Sequence, residues 1–96
     1  SDLNSKIPVG IEPGNIQSIL SGTGKQNGKI EYLETDIIIQ DKSIVYTSGS
    51  GGLFKPGIPI GIYNKETEEN YEIVNFFSKL SQLTFVKLVS FEEDNN

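Results

Sequence analysis

The middle of the chain runs Thr47-Ser48-Gly49-Ser50-Gly51-Gly52-Leu53-Phe54-Lys55-Pro56-Gly57-Ile58-Pro59-Ile60-Gly61, with five glycines and two prolines between two apolar runs. Glycine accepts positive φ and close backbone approach, while proline fixes φ and removes a donor. Together they specify a turn of defined shape, which a flexible Gly/Ser spacer would not need. Ile44, Val45 and Tyr46 precede the stretch, and Ile58, Ile60 and Ile62 alternate after it. The pattern predicts a strand on each side, the second carrying its three isoleucines on one face.

The rest of the chain repeats this rhythm. Ile7, Val9 and Ile11 alternate with Lys6, Pro8, Gly10 and Glu12, and the proline suggests an edge strand or a strand start. Pro13-Gly14 makes a turn into a strand over 16–20, and Gly22, Gly24, Asn27 and Gly28 make a tight connection to a strand over 30–33. Ile37, Ile38 and Ile39 form a continuous apolar run of the buried kind. Strands over 58–63 and 71–75 form a hairpin around the acidic loop 64–70. Residues 78–83 are long enough for one serine-capped helical turn, and 84–91 reads as a final strand before an acidic tail. The expected fold is all-β: a small antiparallel barrel or sandwich of six to seven short strands with at most one helical turn. It forms one domain over 1–91, with 92–96 a disordered tail.

Composition excludes several functions. Thirteen acidic residues against eight lysines, no arginine and a net charge of −5 disfavour nucleic acid, whose phosphates require clustered cations. With no cysteine there are no disulfides or thiolate sites, and with no histidine a Ser-His-Asp arrangement is impossible. No run approaches the ~20 apolar residues that cross a bilayer. The chain starts without methionine, so a fragment of a longer protein is expected, with any anchor or export signal outside it.

The remaining chemical motifs fail on spacing or have blander explanations. Ser48 and Lys55 flank the glycine-rich turn and would serve as a serine–lysine pair only if brought together. Gly24 to Ile30 is one residue short of a phosphate loop and lacks its hydroxyl, and Gly49, Gly51 and Gly52 lack the third glycine of a dinucleotide fingerprint. Glu66, Glu68 and Glu69 offer carboxylates for calcium without a dedicated loop's spacing, so a solvated hairpin tip is the simpler reading. No cofactor and no metal are expected. Phe54, on a rigid turn, is either a partner anchor or a lid folded over the barrel end.

Thr47, Ser48, Gly49, Gly51, Gly52, Phe54, Gly57, Ile58, Pro59 and Gly61 match a pattern T-S-G-x-G-G-x-F-P-x-G-I-P-V-G that resembles the rod shape-determining MreC family of bacteria. Asn4-Ser5-Lys6-Ile7-Pro8-Val9 is similar to that family's N-S-R-I-P-V, and Leu20-Ser21-Gly22-Thr23-Gly24 to its L-x-G-x-G. The proline after Phe54 is displaced to Pro56, Asp41-Lys42 stands where the family has Gly-Asp, and Lys6 replaces an arginine. The resemblance implies an extracytoplasmic, periplasmic β-rich region of a protein anchored in the inner membrane by a segment outside this sequence. It implies a non-enzymatic scaffold of cell elongation and peptidoglycan synthesis that self-associates. Its partners would be a penicillin-binding transpeptidase, MreD and MreB-linked proteins. On that reading the binding loop comprises Thr47, Ser48, Gly49, Gly51, Gly52, Phe54, Pro56, Gly57, Pro59 and Gly61, with strand edges giving self-association and the side chains of the loop around Phe54 selecting partners. The alternative is a periplasmic peptide- or cell-wall-ligand-binding module whose glycine amides hold a carboxylate.

Overall fold

Alternation puts Ile7, Val9 and Ile11 on one face of β1 (Lys6–Glu12), and all three are completely buried. In the computed structural model, which describes residues 5–23, 26–31, 36–49, 55–65 and 72–94, that face looks into a closed barrel. The strands are β1, β2 (Ile16–Gly22), β3 (Asn27–Glu31), β4 (Ile44–Thr47), β5 (Pro59–Lys65) and β6 (Glu72–Phe76). Around the barrel they run β1-β2-β3-β6-β5-β4, every pair antiparallel, and β4 closes back onto β1. The expected small antiparallel barrel therefore forms, with six strands.

The interior is filled in register. Ile7 faces Leu20, Ile11 faces Val45, Leu20 faces Ile30, and Tyr63 faces Val74, all within the core. The β1–β2 connection is tight, with a cis Glu12–Pro13 bond and Asn15 at φ 48°, its amide donating to Glu12 Oε1 at 3.0 Å. A six-stranded barrel is narrow, and β5 meets β6 so closely that a Cβ on Gly61 would overlap the backbone carbonyl oxygen of Asn75.

Four expectations need correction. β1 is no edge strand, because it pairs on both sides; its ladder with β4 starts at Val9, leaving Pro8 beyond it. The three isoleucines Ile58, Ile60 and Ile62 do not share a face: Ile58 precedes β5, and Val45 pairs with Gly61 but Tyr46 with Pro59, making Ile60 an extra, bulged residue. The bulge turns Ile60 into the core, while Ile62 pairs with Ile44 and Asn75 and Ile58 is exposed. Residues 37–39 form no strand; with the ring of six complete, only Ile39 is fully inserted, and Ile38 is exposed. Parts of the other expected elements, including 32–33, Tyr71 and the acidic loop 66–70, lie outside the described residues.

The fourth correction is the largest. Residues 84–91 are not a strand but the body of α1 (Lys79–Asp94), a helix of 16 residues that also takes in Glu92, Glu93 and Asp94 of the supposed tail. The β-branched and aromatic content argues for a strand, but a closed barrel leaves no edge for a seventh to join. The serine cap does form, Ser78 Oγ accepting from the Ser81 amide at 3.1 Å. Phe85 and Val89, one turn apart, are buried on the barrel, with Leu88 beside them. Phe85 packs on Phe76 at 5.4 Å between ring centres and against the bare backbone of Gly22.

Tyr63 is wholly buried and donates through its hydroxyl to Glu72 Oε1 at 3.1 Å. Its phenol is pushed up from 10.0 to about 12, first by burial and then by the nearby Glu72 and Asp41 carboxylates. The fold thus favours the protonated phenol. This stabilisation is complete below pH 10.0 and is lost as the pH climbs towards about 12. Tyr63→Phe should therefore flatten the alkaline limb of stability against pH, at a cost near neutrality of about 1 kcal/mol for the lost hydrogen bond. Urea midpoints across the pH range measure both effects. Gly61→Ala should cost about 2–3 kcal/mol in the same assay, since β6 backbone must move to admit the methyl group.

Candidate functional site

The glycine-rich segment leaves the barrel at the end of β4, and Thr47 controls that exit. Thr47 is buried, and its polar atoms are all engaged by the returning end of the loop. Its amide donates to the Ile58 carbonyl and its carbonyl accepts from the Gly57 amide, both at 2.9 Å. Its hydroxyl donates to the Lys55 carbonyl and accepts from the Ile58 amide, again at 2.9 Å. Threonine suits this position because its hydroxyl is both donor and acceptor and its methyl group is at home in a strand. Four bonds to one residue clamp the two ends of the loop together.

The other motif residues complete the clamp. Gly57 has φ +82°, a backbone that side chains rarely adopt, although no atom lies within 4 Å of a Cβ placed there. Gly49 lies under Pro56, where a Cβ would come within 3.2 Å of the proline ring. Ser48 is buried and donates to Gln17 Oε1 at 3.3 Å, reaching past β1 to β2. Pro59 and Gly61 continue into β5 as the bulge and the close approach already described. Gly51, Gly52 and Phe54 lie outside the described residues, as do Gly24 and the acidic loop 66–70.

Above the clamp the surface forms an open cleft of about 520 Å³. The clamp supplies one wall through Thr47, Ser48, Gly49, Pro56 and Gly57, which the motif had singled out. The other wall, Gly10, Glu12, Asn15, Gln17 and Tyr46, went unnoticed in the sequence. Its only signal there was the outward phase of β1 and β4, which becomes a surface once the register between strands is known. Gly10 lies directly between Gln17 of β2 and Tyr46 of β4. Among the described residues one carboxylate, Glu12, and no cation line the cleft, while Gly51 and Gly52 of the carboxylate-holding nest envisaged for the glycine amides lie outside them.

The catalytic and metal motifs gain no support from the geometry. The Ser48 hydroxyl is directed at Gln17, and among the described residues no group of three acidic side chains is placed to hold a metal ion. Gly28 and Lys29 lie within β3, a strand, where a phosphate loop would lead into a helix.

Residues 1–90 match the family model described as "Rod shape-determining protein MreC, barrel core". The chain is 33% identical over 93 residues to the cell shape-determining protein MreC of Caulobacter vibrioides, covering 97% of this chain and 27% of that one. It is 30% identical over 61 residues to its namesake in Cereibacter sphaeroides, covering 64% of this chain and 20% of the relative. The sequence thus spans about a quarter of these relatives. A solved structure titled "MreC" superposes with a TM-score of 0.69 at 20% identity, over 84% of this chain and 49% of the other, a likeness of fold.

Thr47→Val keeps the shape and deletes the hydroxyl, leaving the Ile58 amide and Lys55 carbonyl without their partner. A loss of about 1–3 kcal/mol is expected, with faster hydrogen exchange at Ile58. Gly57→Ala should cost about 1–2 kcal/mol through backbone strain alone, since the methyl group meets nothing. Denaturant titration and exchange measured on both variants separate the two causes.

Proposed function

The chain belongs to the rod shape-determining protein MreC family, and on that premise we propose that it is a non-enzymatic scaffold domain of the bacterial cell-elongation machinery. It works at the periplasmic face of the inner membrane, through self-association and protein binding. Among the described residues no helix is long and apolar enough to cross a membrane, so the proposal places the anchor in another part of the protein. A penicillin-binding transpeptidase, MreD and MreB-linked proteins are its proposed partners through the family. Among the described residues the strands close into a barrel, so the proposal assigns docking to side chains rather than to strand edges.

The observation that carries the proposal is the outer face of α1. Leu80 is 73% exposed, Leu83 55%, Val86 49% and Phe91 41%, with Phe77, just before the helix, at 47%. These exposed apolar residues are concentrated on one short element, interrupted by Lys87 and Ser90, where a soluble surface normally scatters such residues singly. The charges on this helix are also arranged against its own dipole. Lys79 stands in the first turn, with no acid there, and Glu92, Glu93 and Asp94 stand in the last, with no base. An antiparallel copy of the helix covers these apolar residues and sets Lys79 of each chain beside the acidic end of the other. An arrangement that costs energy in the single chain thus becomes favourable in the pair.

Sedimentation equilibrium of the domain tests this. Lys79→Glu should weaken association by about tenfold, and adding Asp94→Lys should restore it. Since Lys79→Glu improves the fit to the helix dipole, the monomer should stay folded by circular dichroism. A chain that remains monomeric at high concentration, or one whose association ignores both substitutions, overturns the proposal.

A further inference from the structure

Beyond self-association, the cleft beside the loop clamp has the makings of a ligand site, and we infer that it binds a neutral saccharide. Val9 and Ile11 point into the barrel, so Gly10 points out, in a row with Gln17 on one side and Tyr46 on the other. A Cβ on Gly10 would meet only Gln17 Nε2, at an ordinary 3.5 Å. The barrel has room for a side chain there, yet the position is bare and the trough stays open. Glu12 and Asn15 lie at one end and the clamp residues Ser48 and Gly57 at the other. At about 520 Å³ the cleft is in the size range of small-ligand sites.

The lining selects the ligand. Among the described residues one carboxylate and no cation line the cleft, so nothing there favours a phosphate or a carboxylate. The Tyr46 hydroxyl and the Asn15 side-chain amide have no hydrogen-bond partner among the described residues. Gln17 uses its oxygen for Ser48, leaving its NH2 group available, and Glu12 uses one oxygen for the Asn15 amide, leaving the second. These are planar donor and acceptor groups around a bare backbone floor, with one aromatic ring beside it. That set matches the vicinal hydroxyls and the flat C–H face of a sugar ring. A basic peptide is the competing occupant. Its charge would be met by Glu12, an exposed carboxylate whose ion pairs contribute little, and β1 at the centre of the cleft is paired on both sides, leaving a peptide backbone no edge there.

Amide shifts of the labelled domain, titrated separately with chitotriose, maltotriose and tetralysine, decide between them. Saturable shifts at Gly10, Gln17 and Tyr46 are expected with at least one of the two neutral sugars at millimolar concentration. In Gly10→Leu, which fills the trough, the affinity should fall by about tenfold or more with the rest of the spectrum unchanged. Tyr46→Ala, which removes the ring, should weaken binding similarly. Absence of cleft shifts with both sugars up to about 10 mM, or binding undiminished in both variants, overturns the inference. Cleft shifts with tetralysine alone also overturn it and assign the cleft to a basic partner. Sedimentation of Gly10→Leu should match the unsubstituted chain, so failure here leaves self-association standing and the reverse also holds.

Discussion

Closure of the barrel through the short ladder between β1 and β4 determines what the rest of the chain can do. Four residue pairs, from Val9 with Thr47 to Glu12 with Ile44, join the first strand to the fourth. Without them β1 and β4 would each present an unpaired edge, and the interior faces of Ile7, Val9, Ile11 and Val45 would open to water. With them the sheet closes on itself and only short stretches, such as residues 6–8 of β1, run beyond a ladder, which favours association through side chains over strand addition. The same closure leaves the C-terminal segment no strand to pair with. Phe85 and Val89 can be buried only by laying a helix across the barrel, which fixes the opposite, apolar face outward.

The ladder ends at Thr47, the residue that closes the glycine-rich loop. Its strand partner is Val9 on one side, and on the other its amide, carbonyl and hydroxyl hold the returning chain. The loop's two legs are therefore fixed to a core strand. This accounts for the residue types in the motif: a threonine that both donates and accepts, a glycine under a proline, a glycine at positive φ, and a proline at the bulge where a missing donor costs least. The glycines had suggested an anion cradle, but those within the described residues work as elements of shape. The polar groups of the proposed ligand cleft come from the neighbouring strands, and the clamp holds one of its walls in place.

What could be read from the sequence follows the range of the interactions involved. Period-two alternation is local, so β1, β2, β4 and the β-rich class were legible, and so was the Ser78 cap, which depends on residues three apart. The three isoleucines after the loop were misread because a bulge depends on the partner strand. Inserting Ile60 between the Val45 and Tyr46 pairings reverses its facing with no mark in its own sequence. The 84–91 segment was misread because propensity favoured a strand and only the completed ring forbids one. Its helical spacing of Phe85, Leu88 and Val89 was present but outweighed by Val86 and Phe91. In the cleft, Gly10, Gln17 and Tyr46 are far apart in the chain and meet only through the register of three strands, so half the site had no local signature.

The two surfaces lie at opposite ends of the same pair of strands. Phe85 and Val89 of α1 border Ser5 and Gly22, where β1 begins and β2 ends. The cleft includes Glu12 and Asn15, where β1 ends and turns into β2. A seven-residue strand spans roughly 23 Å, so a second copy seated on α1 leaves the cleft open, and a ligand in the cleft does not crowd the helix. The register of β1 with β2 is unbroken between the two ends, with no bulge to absorb a displacement. The strands act as a rigid spacer rather than a hinge, so the two proposed surfaces are held at a fixed separation. For the proposed scaffold role that is the useful property: position would be transmitted through the barrel without any change in its shape.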